Sequence, residues 1–247
     1  MNSCYIRYYG SLKELVKEEK RRRHEFKFNG SPGIRDIIEA DGIPHTETGI
    51  IIVNGVSAGW NYRLNDGDSC AVYPFFRDID VSGESMVLEK GYPDDRFVLD
   101  VHLGKLCRYL RMLGFDSSFD PGWDDPEIIE ISNSESRIIL TKDRGLLKNG
   151  AARFGCLVRS SAPAEQLRQV TERFNLAPLI RPMTRCLKCN GIIIEVSPAS
   201  VSDSLQENTK KYYLNFYRCR SCGTIYWKGS HYENMKIMIE RLFAVII

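Results

Sequence analysis

No stretch of the 247 residues approaches the roughly 20 consecutive apolar side chains of a membrane-spanning helix, so no membrane partner is expected. The opening residues, MNSCYIRYYGSLKELV, lack a basic segment followed by an apolar core, so no secretory leader is expected and the cytoplasm is the expected location. A disulfide framework is lacking as well. Of eight cysteines, four form two Cys-x-x-Cys pairs, while Cys4, Cys70, Cys107 and Cys156 stand singly in apolar surroundings. That usage belongs to a metal site in a reducing compartment.

A strong charge of one sign is also missing, but the net charge of +2 hides an asymmetry. Residues 1–95 carry 12 basic and 16 acidic side chains, residues 96–180 carry 12 and 11, and residues 181–247 carry 10 and 5. The basic final third fits contact with a polyanion without requiring it. The run Lys17 to Arg23 looks like a nucleic-acid arm, yet its interleaved glutamates favour a solvated face. At this length two or three domains are expected.

In the first part, residues 5–9 and 25–28 read as strands, the second closed by Asn29-Gly30. Ser31-Pro32-Gly33 opens a helix over 34–40 that stops at Gly42, and strands follow over 49–53 and 69–75, separated by turns. Strand, strand, helix, strand, strand predicts a small β-grasp domain over 1–78. Residues 79–95, with SGES and GYPDD, read as a linker.

The stretch from Phe97 to Leu147 places acidic residues where an open α/β sheet builds a site. Phe97-Val98-Leu99 ends on Asp100 and Ile138-Ile139-Leu140-Thr141 ends just before Asp143; both runs read as buried parallel strands. Between them, Asp125 before Pro126 has the form of a helix N-cap, with Asp124 beside it. Ligands of open α/β sheets bind outside the carboxyl ends of the strands. Clustered carboxylates there would suit magnesium or manganese. A helix over 103–113 ends at Gly114, with Leu103, Leu106, Leu110 and Leu113 on one face and Lys105, Arg108 and Arg111 on the other. That basic row reads either as a solvated surface or as a phosphate-tracking ridge beside the aspartates. A strand at 156–158 and a helix over 163–174 continue the alternation, which predicts a parallel sheet across 96–180.

The most specific motif lies in the last part, 181–247, which also holds a C-terminal helix. Cys186-Leu187-Lys188-Cys189 and Cys219-Arg220-Ser221-Cys222-Gly223 can offer four thiolates to one tetrahedral structural zinc, with strands over 191–196 and 212–217 filling the gap. His231 is a redundant fifth candidate. Tyr213, Phe216, Tyr217, Tyr226 and Trp227 around the second knuckle read as ribbon core, or as base-stacking surfaces beside Arg218, Arg220 and Lys228.

The segments FVLDVHLGKLCRYLRMLGFD, ILTKDRGLL, RCLKCNG and CGTIYWKGSH together resemble the Mut-seven C-terminal RNase domain family, and IPHTETGIIIVNG with LNDGDSCAVYPFF resembles ubiquitin-like sulfur carriers and the ubiquitin-like domain fused ahead of that RNase domain. The resemblance implies an α/β multidomain chain: an N-terminal β-grasp ubiquitin-like domain, a PIN-like nuclease domain and a zinc ribbon. It further implies a metal-dependent ribonuclease with acidic residues at Asp100, Asp125 and Asp143, and with Asp124 and Asp116 as further candidates. Lys105, Arg108, Arg111, Lys142 and Arg144 are candidate RNA contacts. Val101-His102 and Lys142 depart from the family pattern. Sulfur transfer is not expected, because Tyr73-Pro74-Phe75-Phe76 runs on into Arg77 and Asp78 without a terminal Gly-Gly. A protein partner is expected for the ubiquitin-like domain if it is a binding module, and none if it is only structural. The competing expectation is a non-catalytic RNA-binding or protein-interaction adaptor. A phosphoryl-accepting domain is a third, which the ribbon argues against.

Overall fold

A computed structural model describes residues 1–76, 83–87 and 95–243. Most of the expected linker, 79–95, therefore lies outside the described residues. The strands and helices in chain order begin with β1 (Asn2–Tyr8), β2 (His24–Phe28), α1 (Ile34–Ala40), β3 (Thr48–Val53), β4 (Val56–Ser57) and β5 (Ser69–Pro74). Then come β6 (Arg96–Leu99), α2 (Gly104–Met112), β7 (Asp116–Ser118), α3 (Asp125–Glu135), β8 (Ile138–Thr141), α4 (Arg144–Lys148), β9 (Gly155–Leu157) and α5 (Pro163–Arg173). The chain closes with β10 (Ile193–Val196), α6 (Glu207–Tyr212), β11 (Phe216–Cys219), β12 (Ile225–Trp227) and α7 (Ser230–Phe243). Among the described residues no helix is long and apolar enough to cross a membrane. Two compact units result, Met1–Asp94 with Asp124–Leu157, and Asp95–Trp123 with Val158–Ile247.

In the first unit a five-stranded sheet has the order β2-β1-β5-β3-β4, with β1 and β5 parallel and the other pairs antiparallel. Alternation decides its inner face: Cys4, Ile6 and Tyr8 of β1 are fully buried while the residues between them are exposed. Helix α1 buries Ile34, Ile37 and Ile38 and stops where Gly42 takes φ of 99°. Between β1 and β2 the chain forms two 3₁₀ turns, Gly10–Glu14 and Glu18–Lys20. The charge run is solvent-facing apart from Lys20, which joins Tyr8 and His24 in donating to the buried Asp41 carboxylate.

Residues 124–157 complete this unit through polar contacts with the N-terminal part. The Glu47 carboxylate, 3% exposed, accepts the Leu157 amide at 2.6 Å. Lys148 Nζ donates to the Glu39 carbonyl, and Arg144 Nη1 donates to the carbonyls of Leu15 and Gly42. His45 Nε2 lies 2.8 Å from the Ala152 carbonyl, so that nitrogen carries the proton and Nδ1 faces Arg35 and Glu39. Strands β8 and β9 pair in parallel, Leu140 opposite Cys156.

In the second unit β6 and β7 also pair in parallel, as expected, with Phe97 opposite Ser117. Phe97 is enclosed by Phe115 and Phe174. Helix α2 buries Leu106, Cys107, Leu110 and Met112 and ends at Gly114, whose φ of 98° and whose closeness to Arg181 admit no side chain: a Cβ would lie 2.2 Å from the Arg181 carbonyl oxygen. Arg111 corrects the expected solvent-facing basic row. It is 6% exposed, because the first cysteine knuckle seats on that side of α2: Nε donates to the Ser117 carbonyl at 2.8 Å, and Nη1 to those of Leu187 and Lys188. Lys105 and Arg108 are exposed as expected. The ribbon is an antiparallel sheet β10-β11-β12. The gap between its knuckles holds a 3₁₀ stretch and α6 besides strands, and the second strand starts at Phe216, later than predicted. Of the aromatics, Phe216 is buried, and Tyr217 and Tyr226 pack partly buried against the Cys186, Ile193 and Cys219 cluster.

His45 makes the first unit sensitive to acid. Burial holds its imidazole below the ordinary value of 6.5, so the unfolded chain takes up that proton more readily than the folded one. Acidification through about pH 6.5 should lower the thermal midpoint, whereas above that value this group contributes no pH dependence. Thermal melts of the parent and of His45→Gln across this range should show a smaller acid-side drop in the variant.

Candidate metal centre and acidic positions

Each cysteine pair sits in a tight turn built the same way. In the first, the Asn190 amide donates to the Cys186 carbonyl and Asn190 takes φ of 66°; in the second, the Gly223 amide donates to the Cys219 carbonyl and Gly223 takes φ of 73°. Left-handed backbone at the residue after the second cysteine turns both thiols of a pair to the same side. Pairing of β10 with β11 then brings the two turns together, with Ile193 opposite Cys219. Gly191 permits the approach, since a Cβ there would lie 2.8 Å from Cys219 Sγ and 2.5 Å from Ser221 Oγ.

The four sulfurs lie within 4.8 Å of one another, with Cys186 to Cys222 at 3.6 Å and Cys189 to Cys219 at 3.5 Å. Tetrahedral bonds of about 2.3 Å to zinc would separate sulfurs by roughly 3.8 Å, so the quartet fits that ion. The Tyr226 hydroxyl lies 3.1 Å from Cys186 Sγ while accepting the Leu187 amide, and the Thr224 hydroxyl lies 3.1 Å from Cys222 Sγ. That contact with Thr224 is the main influence drawing the Cys222 thiol down to about 6, whereas burial pushes the Cys189 thiol up to about 12. The side chain of His231 lies outside the described residues.

Three of the four acidic positions, Asp100, Asp124 and Asp143, are helix or turn caps. Asp100 leaves β6, is 5% exposed, and its Oδ1 accepts the His102 amide at 2.7 Å. At α3 the cap is Asp124, correcting the expected cap at Asp125 by one residue. Asp124 accepts the Glu127 amide while the Glu127 carboxylate accepts that of Asp124. This reciprocal box, Asp124 with Glu127 three residues on, outweighs the Asp125-Pro126 signal. Asp125 is thereby the first helical residue and is exposed. Asp143 leaves β8 and caps α4, with Oδ1 on the Gly145 amide at 2.6 Å and its own amide on the Thr141 hydroxyl at 2.8 Å.

Asp100 belongs to the second unit, and Asp124, Asp125 and Asp143 to the first. The cysteine quartet is the group of potential metal-ligating side chains that the structure gathers among the described residues; the aspartates form no such group there. Of the candidate RNA contacts, Lys105, Arg108 and Lys142 are exposed, whereas Arg111 and Arg144 spend their guanidinium donors on backbone carbonyls within their own units. Sequence reasoning missed the brace around Asp116, where Asn190 Nδ2 and Arg185 meet its carboxylate and Asn190 Oδ1 accepts the Ser117 amide. The Asn-Gly after the second cysteine was the available signal.

The purified chain should carry one zinc per molecule by elemental analysis. Cys189→Ser or exhaustive chelation should release it and unfold the ribbon, seen as loss of a cooperative thermal transition. Affinity should fall on acidification, because the thiols must lose their protons to bind.

Residues 95–239 match the family model described as the Mut7-C RNAse domain, and residues 1–80 match the one described as Mut7-C ubiquitin. No curated protein matches the chain. Among solved structures, a putative molybdopterin converting factor, subunit 1, from Pyrococcus furiosus is 22% identical over 30% of this chain and 98% of its own, with a TM-score of 0.25, too low to carry an argument. The first of these family models spans more than half of the sequence, and the chain therefore belongs to the Mut7-C RNAse domain family, with a Mut7-C ubiquitin segment at its N-terminal side.

Proposed function

We propose that the chain is a divalent-cation-dependent ribonuclease that hydrolyses RNA phosphodiester bonds. The observation that carries this reading is the placement of its aspartates inside the matched RNAse segment: Asp100 and Asp143 each leave a buried strand and enter a turn, and Asp125 opens a helix. Backbone amides hold one oxygen of Asp100 and one of Asp143, which fixes the orientation of each carboxylate. The second oxygen of Asp143 has no partner among the described residues. Hard carboxylate donors suit magnesium or manganese, and Asp100, Asp125 and Asp143, with Asp124 adjacent in sequence, are the residues that would hold it. Such an ion, when bound, supplies an activated water near neutral pH and positive charge against the phosphoryl oxygens. Lys105, Arg108 and Lys142 would neutralise backbone phosphates and orient the strand.

On this reading residues 1–78 form a β-grasp ubiquitin-like module that binds a protein partner, 96–180 a PIN-like nuclease domain and 181–247 a zinc ribbon, in a cytoplasmic protein. A non-catalytic RNA-binding adaptor is the second reading. It is favoured by the absence, among the described residues, of an acidic group gathered to ligand distance.

Labelled single-stranded and structured RNA incubated with manganese or magnesium separates the two. The nuclease reading expects cleavage that stops on chelation and falls by more than about a hundredfold in Asp100→Asn with Asp143→Asn, the scale of losing electrostatic stabilisation at the reacting group. RNA binding and zinc content should be retained. Binding without turnover by the parent protein establishes the adaptor instead.

A further inference from the structure

The second unit contains a groove of about 540 Å³ between α2 and the first cysteine knuckle. Arg108 and Gly104 line it from α2, Phe119 from the loop after β7, and Lys188 and Tyr226 from the ribbon. No acidic side chain contributes to its wall. Arg111 at its floor is already committed to the carbonyls of Ser117, Leu187 and Lys188. Arg108 and Lys188 differ from it. Both are exposed, and neither side chain has an ion-pair or hydrogen-bond partner among the described residues.

The aromatic walls complete the chemistry. Phe119 lies against Gly104, where a Cβ would come within 3.1 Å of its Cζ, and it remains half-buried. Gly104 therefore lets the ring sit close to the start of α2. Tyr226 turns its hydroxyl into the knuckle, onto Cys186 Sγ and the Leu187 amide. Its ring is what remains to line the groove.

We infer that this groove binds one nucleotide of single-stranded RNA, with a backbone phosphate between Arg108 and Lys188 and the base against Phe119. The inference rests on the ribonuclease reading and extends its substrate contacts to the ribbon. Two unpaired cations beside an aromatic face are what a sequence-tolerant single-strand site uses: charge follows the phosphates and rings stack on bases. The volume falls in the range of ordinary ligand clefts. Lys188 lies between Cys186 and Cys189, so the metal that closes the knuckle also fixes one of the two phosphate contacts. The zinc ribbon then forms part of the substrate surface in addition to stapling the fold.

Fluorescence anisotropy with a labelled single-stranded RNA tests this, using the full-length, zinc-loaded Asp100→Asn, Asp143→Asn protein so that no cleavage intervenes. Adding Arg108→Gln with Lys188→Gln should weaken binding at least about tenfold and flatten its salt dependence by the share of roughly two phosphates. Phe119→Ala should weaken it at least about fivefold. Lys210→Gln with Lys211→Gln, which removes the same charge outside the groove, should change affinity less than about twofold. Zinc content and thermal midpoint confirm that each variant is folded. Groove variants that bind RNA like their parent overturn the inference and leave the ribonuclease reading intact, as does a groove-dependent affinity for poly-glutamate with RNA binding unchanged. If the parent binds no RNA and the unsubstituted protein cleaves none, the ribonuclease reading fails and the inference falls with it.

Discussion

The guanidinium of Arg111 is the interaction on which the second unit turns, because it joins α2 to β7 and to the first cysteine turn. Its planar fork reaches three carbonyls at once, one at β7 and two in the first cysteine turn. A buried arginine is costly unless its donors are satisfied, and here backbone acceptors do so. The dependence is mutual: the first cysteine turn supplies the acceptors that let Arg111 be buried, and Arg111 seats that turn on α2. Asn190 and Arg185 add to the same seam through Asp116.

The first unit is held by a similar device with the roles reversed. Side chains of α4 reach backbone carbonyls of the N-terminal part, and Glu47 and His45 of that part reach backbone groups at 157 and 152. Buried polar side chains paired with backbone groups are sensitive to geometry, and leaving one unmet costs about 1–3 kcal/mol. The ubiquitin-like segment is therefore a structural complement of residues 124–157, whatever else it binds. That explains why Arg144, next to the acidic turn in sequence, is spent on Leu15 and Gly42.

Asp100, Asp124 and Asp143 each satisfy an amide at the start of a helix or turn, a task any capping residue performs. A carboxylate has more acceptor capacity than one amide uses. An aspartate cap can thus hold its own turn and still offer an oxygen outward, which a serine cap cannot do with comparable charge.

Much of this was legible in the chain itself. Apolar runs gave the strands at Phe97 and Ile138, glycines at 42 and 114 marked helix ends through their positive φ, and the spacing of four cysteines announced a tetrahedral site. These signals are local: they depend on sterics, alternation and capping within a few residues. The identity of the capping aspartate at α3 was decided by a reciprocal bond to Glu127, which competed with the proline signal one position on. Arg108 and Arg111 were equivalent by helical spacing, and only the seating of a knuckle more than seventy residues away made one a buried brace and left the other exposed. Sequence determined the strands of the apolar runs and the helix ends at Gly42 and Gly114, because backbone preferences act at short range. Tertiary structure decided which polar side chains are spent on the fold and which remain for a ligand, because hydrogen-bond partners come from wherever the chain returns.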